Sequence, residues 1–122
     1  MNIFITGGLG FIGSHVCVQL LNVGHKIILI DDLSNSKADV LAKIKSLSNN
    51  NIKLYQDTIL NKKLLENIFV ENKIDLVIHF AGLKSVSESI RYPLKYYDIN
   101  VNGTINLLQI MKKYNCFTPL HI

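Results

Sequence analysis

The chain has 122 residues, 48% of them apolar and 18% charged, which suits the core of one compact domain and excludes a disordered tail. Its net charge of +4 sets 13 basic against 9 acidic side chains. Arg91 is the lone Arg and the lysines are scattered, so no basic stripe exists and no nucleic-acid partner is expected. Gln19, Asn22, His25, Lys26 and Asp31 interrupt the longest apolar stretches, and no basic segment precedes an apolar one at the N-terminus. Neither a membrane span nor a secretory signal is expected. The two cysteines, Cys17 and Cys116, lie far apart without ligand spacing. They read as free thiols in a reducing cytoplasm, and no metal site is expected.

Short β-rich runs alternate with longer helical ones. Residues 2–6 read as a strand, and residues 11–22 as a helix with Ile12, Val16, Leu20 and Val23 spaced along one face. Gly24 ends that helix. Residues 26–31 include Ile27-Ile28-Leu29-Ile30 unbroken, the mark of a strand buried on both faces of a parallel sheet. Ser34-Asn35-Ser36 reads as a turn, and Ser36 with Asp39 as a capping pair for a helix to about residue 47. A third strand is expected at 52–56, and a helix at 62–71 with Leu64, Leu65, Ile68 and Phe69 facing inward. A fourth strand is expected at 75–80, then mostly loop with one helical turn to residue 92. Pro93 opens a long helix over 94–114, weakened slightly by Gly103.

Four strand–helix units with right-handed crossovers predict an α/β fold: a partial, doubly wound parallel sheet in the order 3-2-1-4. Residues 116–122 stand where a fifth strand belongs but contain Pro119, so the sheet is expected to stop before it. On this reading, residues 1–122 are an incomplete N-terminal nucleotide-binding domain with no substrate domain.

Gly7-Gly8-Leu9-Gly10-Phe11-Ile12-Gly13 lies between the first strand and first helix and satisfies both G-x-x-G-x-x-G and G-x-G-x-x-G spacings. Glycines there let the backbone turn sharply and approach a pyrophosphate, which the free N–H groups of the first helical turn can bind. The bland alternative is a tight turn with no ligand. Asp31 ends the second strand, where a carboxylate accepts the two ribose hydroxyls of an adenosine and repels a 2′-phosphate, selecting NAD over NADP. Asp32 follows, with no nearby Arg to host an extra phosphate. S-adenosylmethionine is the competing ligand, disfavoured by three glycines at these spacings and by the loop after the fourth strand.

That loop, Phe80-Ala81-Gly82-Leu83-Lys84, completes a set with the glycine loop that resembles the extended short-chain dehydrogenase/reductase family. Gly13-Ser14-His15, residues 17–21, residues 31–36, and Tyr96-Tyr97-Asp98 with Asn100-Val101-Asn102-Gly103-Thr104 are similar to its sugar-nucleotide epimerase branch. So is the Ala-Gly-Leu-Lys block with Glu88-Ser89, which differs from the blocks of related dehydratases and decarboxylases. The resemblance runs from residue 1 to about 114. It implies Gly7, Gly10, Phe11, Ile12 and Gly13 at the pyrophosphate, and Asp31, Asp32, Leu33, Ser34, Asn35 and Ser36 at the adenosine ribose. It also implies Asp57, Thr58 and Ile59 near the adenine, and Phe80, Ala81, Gly82, Leu83 and Lys84 along the nicotinamide ribose and diphosphate. Two departures stand out. The family's Asp at position 58 is Thr58 here, with Asp57 one place earlier, and its cofactor-contacting Asn at position 99 is Ile99. Asn100 is adjacent but expected to point about 100° away round the helix.

The resemblance further implies a cytoplasmic, NAD-dependent enzyme, homodimeric at full length, that interconverts UDP-glucose and UDP-galactose through a 4-keto sugar. The family's catalytic Tyr has a Lys four residues later. None of Tyr55, Tyr92, Tyr96, Tyr97 and Tyr114 does, so no catalytic residue is expected in this chain and no turnover by it alone. The alternatives are a non-catalytic NAD-binding module or remnant, or another NAD-dependent nucleotide-sugar epimerase or dehydratase. His79 reads as a packed or hydrogen-bonded histidine, and Cys17 as a buried thiol.

Overall fold

The computed structural model describes residues 1–33, 39–48, 51–82, 86–116 and 119–121. In chain order these form β1 (Asn2–Thr6), α1 (Phe11–Asn22), β2 (Lys26–Ile30), α2 (Asp39–Ser46), β3 (Ile52–Tyr55), α3 (Lys62–Glu71), β4 (Leu76–His79), α4 (Val86–Arg91) and α5 (Pro93–Tyr97). A π-helical segment (Asp98–Gly103), α6 (Thr104–Lys113) and β5 (Pro119–His121) follow. The strands make one parallel sheet in the order β3-β2-β1-β4-β5. The first four stand as the sequence predicts. The fifth corrects it: Val77 pairs with Pro119 and His79 with His121. Proline is tolerated as the first residue of an edge strand because no ladder donor is needed there.

Period-two alternation divides the core. Ile3, Ile5, Ile27, Leu29 and Ile78 pack on one face with Cys17 and Leu21 of α1 and Ile44 of α2. Phe4, Ile28, Ile30 and Val77 pack on the other with Leu65, Ile68 and Phe69 of α3 and Leu107, Ile110 and Met111 of α6. The Phe4 and Phe69 rings meet edge to face, 5.6 Å apart. Both faces are covered, which is why β2 is apolar throughout.

The helix ends follow local chemistry. Asn61 caps α3 by accepting the Leu64 N–H. A Schellman motif closes α1, where Gly24 (φ +99) donates to Leu21 O and His25 to Leu20 O. The inner face of α1 differs from the expected one. Gly13, Cys17 and Leu21 are buried, whereas Ile12 and Val23 are exposed. Apolar residues surround this helix, so spacing alone left its rotation open; the close approach of Gly13 to the glycine loop decides it.

The long helix expected over 94–114 is instead α5, the π-segment and α6 in succession. Gly103, buried at the end of the π-segment, lies where a Cβ would come within 2.5 Å of Ile59 Cδ1. The capping pair of Ser36 with Asp39 lies partly outside the described residues.

Candidate nucleotide-binding site

The carboxyl ends of β1, β2 and β4 converge, with Thr6 paired to Ile30 on one side and His79 on the other. In the order β3-β2-β1-β4-β5 the direction of winding reverses between β1 and β4, and open α/β sheets bind ligands in the crevice at such a point.

Gly7 holds φ +66 just beyond β1, and its N–H donates to Ile30 O. A Cβ there would stand 2.7 Å from Ala81 N, so the glycine is required both by its conformation and by the β4 loop pressed against it. A Cβ on Gly13 would stand 2.7 Å from Gly7 O and 2.9 Å from Gly8 Cα. The helix therefore sits directly on the loop backbone. Gly10 is the N-cap of α1, makes no side-chain cap, and no acid occupies the first turn. The amino end of a 12-residue helix thus opens into the crevice with its dipole and first N–H groups uncompensated by side chains.

Asp31 is 9% exposed, and its carboxylate joins the loops after β1 and β2. Oδ2 accepts the Leu9 N–H at 3.1 Å and Oδ1 the Leu33 N–H at 2.8 Å. These donors fix the carboxylate plane at the strand end, and a carboxylate offers about four acceptor positions in all. Leu33 is left-handed, with φ +64, an uncommon state for a branched side chain. Its turn is held by Asp31, and its side chain packs on the α1-side core.

The remaining expected residues fall in several environments. Phe11 and Ile12 are exposed at the helix amino end, with the Phe11 ring 4.9 Å from that of His15. Asp32 is exposed. Asp57 turns back on its own loop, accepting Thr58 N–H and Asn61 Nδ2, while Thr58 Oγ1 accepts Leu60 N–H. Ile59 and Phe80 are buried in the two cores. Ala81 and Gly82 are half-buried on the far side of Gly7. Ser34, Asn35, Ser36, Leu83 and Lys84 lie outside the described residues.

Sequence reasoning missed two contributors. Leu9 enters through its amide, for which no side-chain signal exists. Asn100, expected to point away, has its carboxamide oxygen 3.3 Å from where a Gly82 Cβ would be. Tyr96 is buried, its hydroxyl bonded to Glu88, whereas Tyr97 is exposed. Cys17 is fully buried and burial pushes its thiol up to about 12. Among the described residues no group of His, Cys, Asp and Glu could hold a metal ion. A groove between Phe69, Asn72, Asp75, Tyr114 and Cys116 lies at the opposite end of the strands and is separate from this site.

The family model for GDP-mannose 4,6 dehydratase matches residues 4–121. The chain belongs to that family. It is 47% identical over 114 residues to the UDP-glucose 4-epimerase of Bacillus subtilis, covering 93% of this chain and 34% of that protein. With the UDP-glucose 4-epimerase of Haemophilus influenzae it shares 50% over 113 residues, 93% of this chain and 33% of the relative. The crystal structure of the Bifidobacterium longum UDP-glucose 4-epimerase, in complex with NAD+ and UDP, superposes with a TM-score of 0.96 at 40% identity. That superposition covers 99% of this chain and 36% of the other. The chain thus spans about a third of the length of the relatives it matches.

Proposed function

We propose that this chain is the NAD-holding part of a UDP-glucose 4-epimerase. One observation carries the cofactor reading: an uncapped helix amino end, seated on glycines that admit no Cβ, beside a carboxylate fixed at the end of β2. The residues fit NAD. The N–H groups of Phe11, Ile12 and Gly13 would bind the pyrophosphate over Gly7 and Gly10. Asp31 would accept the adenosine ribose hydroxyls, with Asp32, Leu33, Ser34, Asn35 and Ser36 along that side and Asp57, Thr58 and Ile59 toward the adenine. Phe80, Ala81, Gly82, Leu83 and Lys84 would border the nicotinamide ribose. When bound, NAD supplies an acceptor for a hydride from C4 of the sugar and returns it to the opposite face.

The likeness to UDP-glucose 4-epimerases supports UDP-glucose and UDP-galactose as substrates. With no Tyr followed four residues later by Lys, the chain by itself binds cofactor without turnover. A second copy is the proposed partner. Leu94, Tyr97, Val101, Ile105 and Leu108 form an exposed apolar stripe along α5, the π-segment and α6, spaced three or four residues apart. The reducing cytoplasm is the proposed location, supported by two buried cysteines that form no disulfide among the described residues. No described helix is long and apolar enough to cross a membrane.

Calorimetric titration of the 122-residue chain with NAD and NADP tests the reading. NAD should bind, NADP more weakly, and Asp31→Asn should narrow the difference. Tighter binding of NADP would refute the role of Asp31.

A further inference from the structure

A line of hydrogen bonds crosses beneath the crevice from the β4 loop to the π-segment. The Ala81 N–H donates to Thr6 Oγ1 at 3.1 Å, and Thr6 Oγ1 lies 2.5 Å from His79 Nδ1. His79 Nε2 lies 3.0 Å from Thr104 Oγ1, which donates to Asn100 O at 2.9 Å. Thr6 is fully buried, so its hydroxyl proton requires a protein acceptor, and among the described residues His79 Nδ1 is the acceptor in reach. That requirement sets the direction of the whole line. Nδ1 is bare, Nε2 carries the hydrogen and donates to Thr104, and the Thr104 hydroxyl is spent on the Asn100 carbonyl. With the opposite tautomer the Thr6 proton would lie unpaired in a site closed to water.

We propose that His79 is a positioning residue of the nucleotide crevice: a neutral, Nε2-protonated imidazole that locks the Ala81 amide and the Asn100 turn to the end of β1. The proposal rests on the cofactor reading given above. Both ends of the line bear on the crevice rim, since Ala81 backs Gly7 and the Asn100 carboxamide lies against Gly82. Thr104 also bonds back to the carbonyl four residues earlier, an arrangement that bends helices, and it does so where the π-turn meets α6. An apolar side chain at position 79 would fill the space but would join none of these backbone groups.

Nitrogen-resolved NMR of the 122-residue chain reads the tautomer directly, and the Nε2–H form is expected. Thr104→Val removes the hydroxyl at nearly constant volume and should speed hydrogen exchange at the Ala81 amide. It should also weaken NAD binding by roughly threefold to tenfold, the effect of one hydrogen bond. Thr104→Ser, which keeps the hydroxyl, should restore both. A hydrogen on Nδ1, or a Thr104→Val chain matching the parent in Ala81 exchange and NAD affinity, would overturn the proposal. If the parent chain takes up no NAD, the cofactor reading fails. The tautomer and the Ala81 exchange then decide the role of His79 on their own.

Discussion

The four glycines of the nucleotide loop do different work, and their neighbours separate them. Gly13 faces backbone atoms of Gly7 and Gly8 that cannot step aside, whereas a Cβ on Gly10 would meet nothing nearer than 3.5 Å. Gly13→Ala should therefore lower stability by about 1–3 kcal/mol, the usual cost of overpacking, and abolish NAD binding. Gly10→Ala should stay within about 1 kcal/mol of the parent, as N-cap exchanges do. Urea unfolding of both variants checks the contrast. Cys17 carries a second residue-scale prediction. In the unfolded chain its thiol ionises as the pH passes 9.0, but in the folded chain it stays protonated to about 12. The folded state thus holds more protons across that window. The stabilisation is complete below 9 and declines by about 1.4 kcal/mol per pH unit above it. Unfolding curves at mildly and strongly alkaline pH should show this slope in the parent and a shallower one in Cys17→Ala.

At the scale of elements, the four leading strands and α3 were legible because their patterns are clear: short apolar runs such as Ile27–Ile30 for the sheet, and Leu64, Leu65, Ile68 and Phe69 on one face for α3. The rotation of α1 and the π-segment within the long helix were not. Gly13 sits on the backbone of the glycine loop and Gly103 on Ile59, close approaches that spacing does not record. The end of α6 was legible only as a stop. There Asn115 adopts φ +57 and donates to Lys112 O while Cys116 donates to Met111 O, a Schellman closure that buries Cys116 beside Met111. Asn115→Ala should cost about 1 kcal/mol because alanine resists the left-handed state, whereas Asn115→Gly should match or exceed the parent. Thermal unfolding distinguishes the three chains.

For the molecule as a whole, α5, the π-segment and α6 present Leu94, Tyr97, Val101, Ile105 and Leu108 to solvent, while Leu107, Ile110 and Met111 bury the opposite face of α6. A helix apolar on both sides has two surfaces to cover, and the sheet covers one. Sedimentation of the parent chain should show concentration-dependent self-association, and Leu108→Glu should hold the chain monomeric without loss of stability. A parent chain that stays monomeric at all concentrations would remove the stripe as an interface. Across α3 and α6, Glu66 meets Lys113 and the Tyr114 hydroxyl. The hydrogen bond from Lys113 holds its carboxyl below the usual range.

The amino-acid order alone determined the four leading strands, their 3-2-1-4 arrangement, the glycine loop and Asp31, because these follow from local periodicity, backbone sterics and the handedness of crossovers. Tertiary structure decided the rest. It placed β5 against β4 despite Pro119, rotated α1 onto Gly13, turned Asn100 toward Gly82 and gave His79 its direction of hydrogen bonding. Each of those outcomes depends on atoms that meet only when distant segments pack. Sequence spacing carries no record of which buried hydroxyl finds which ring nitrogen.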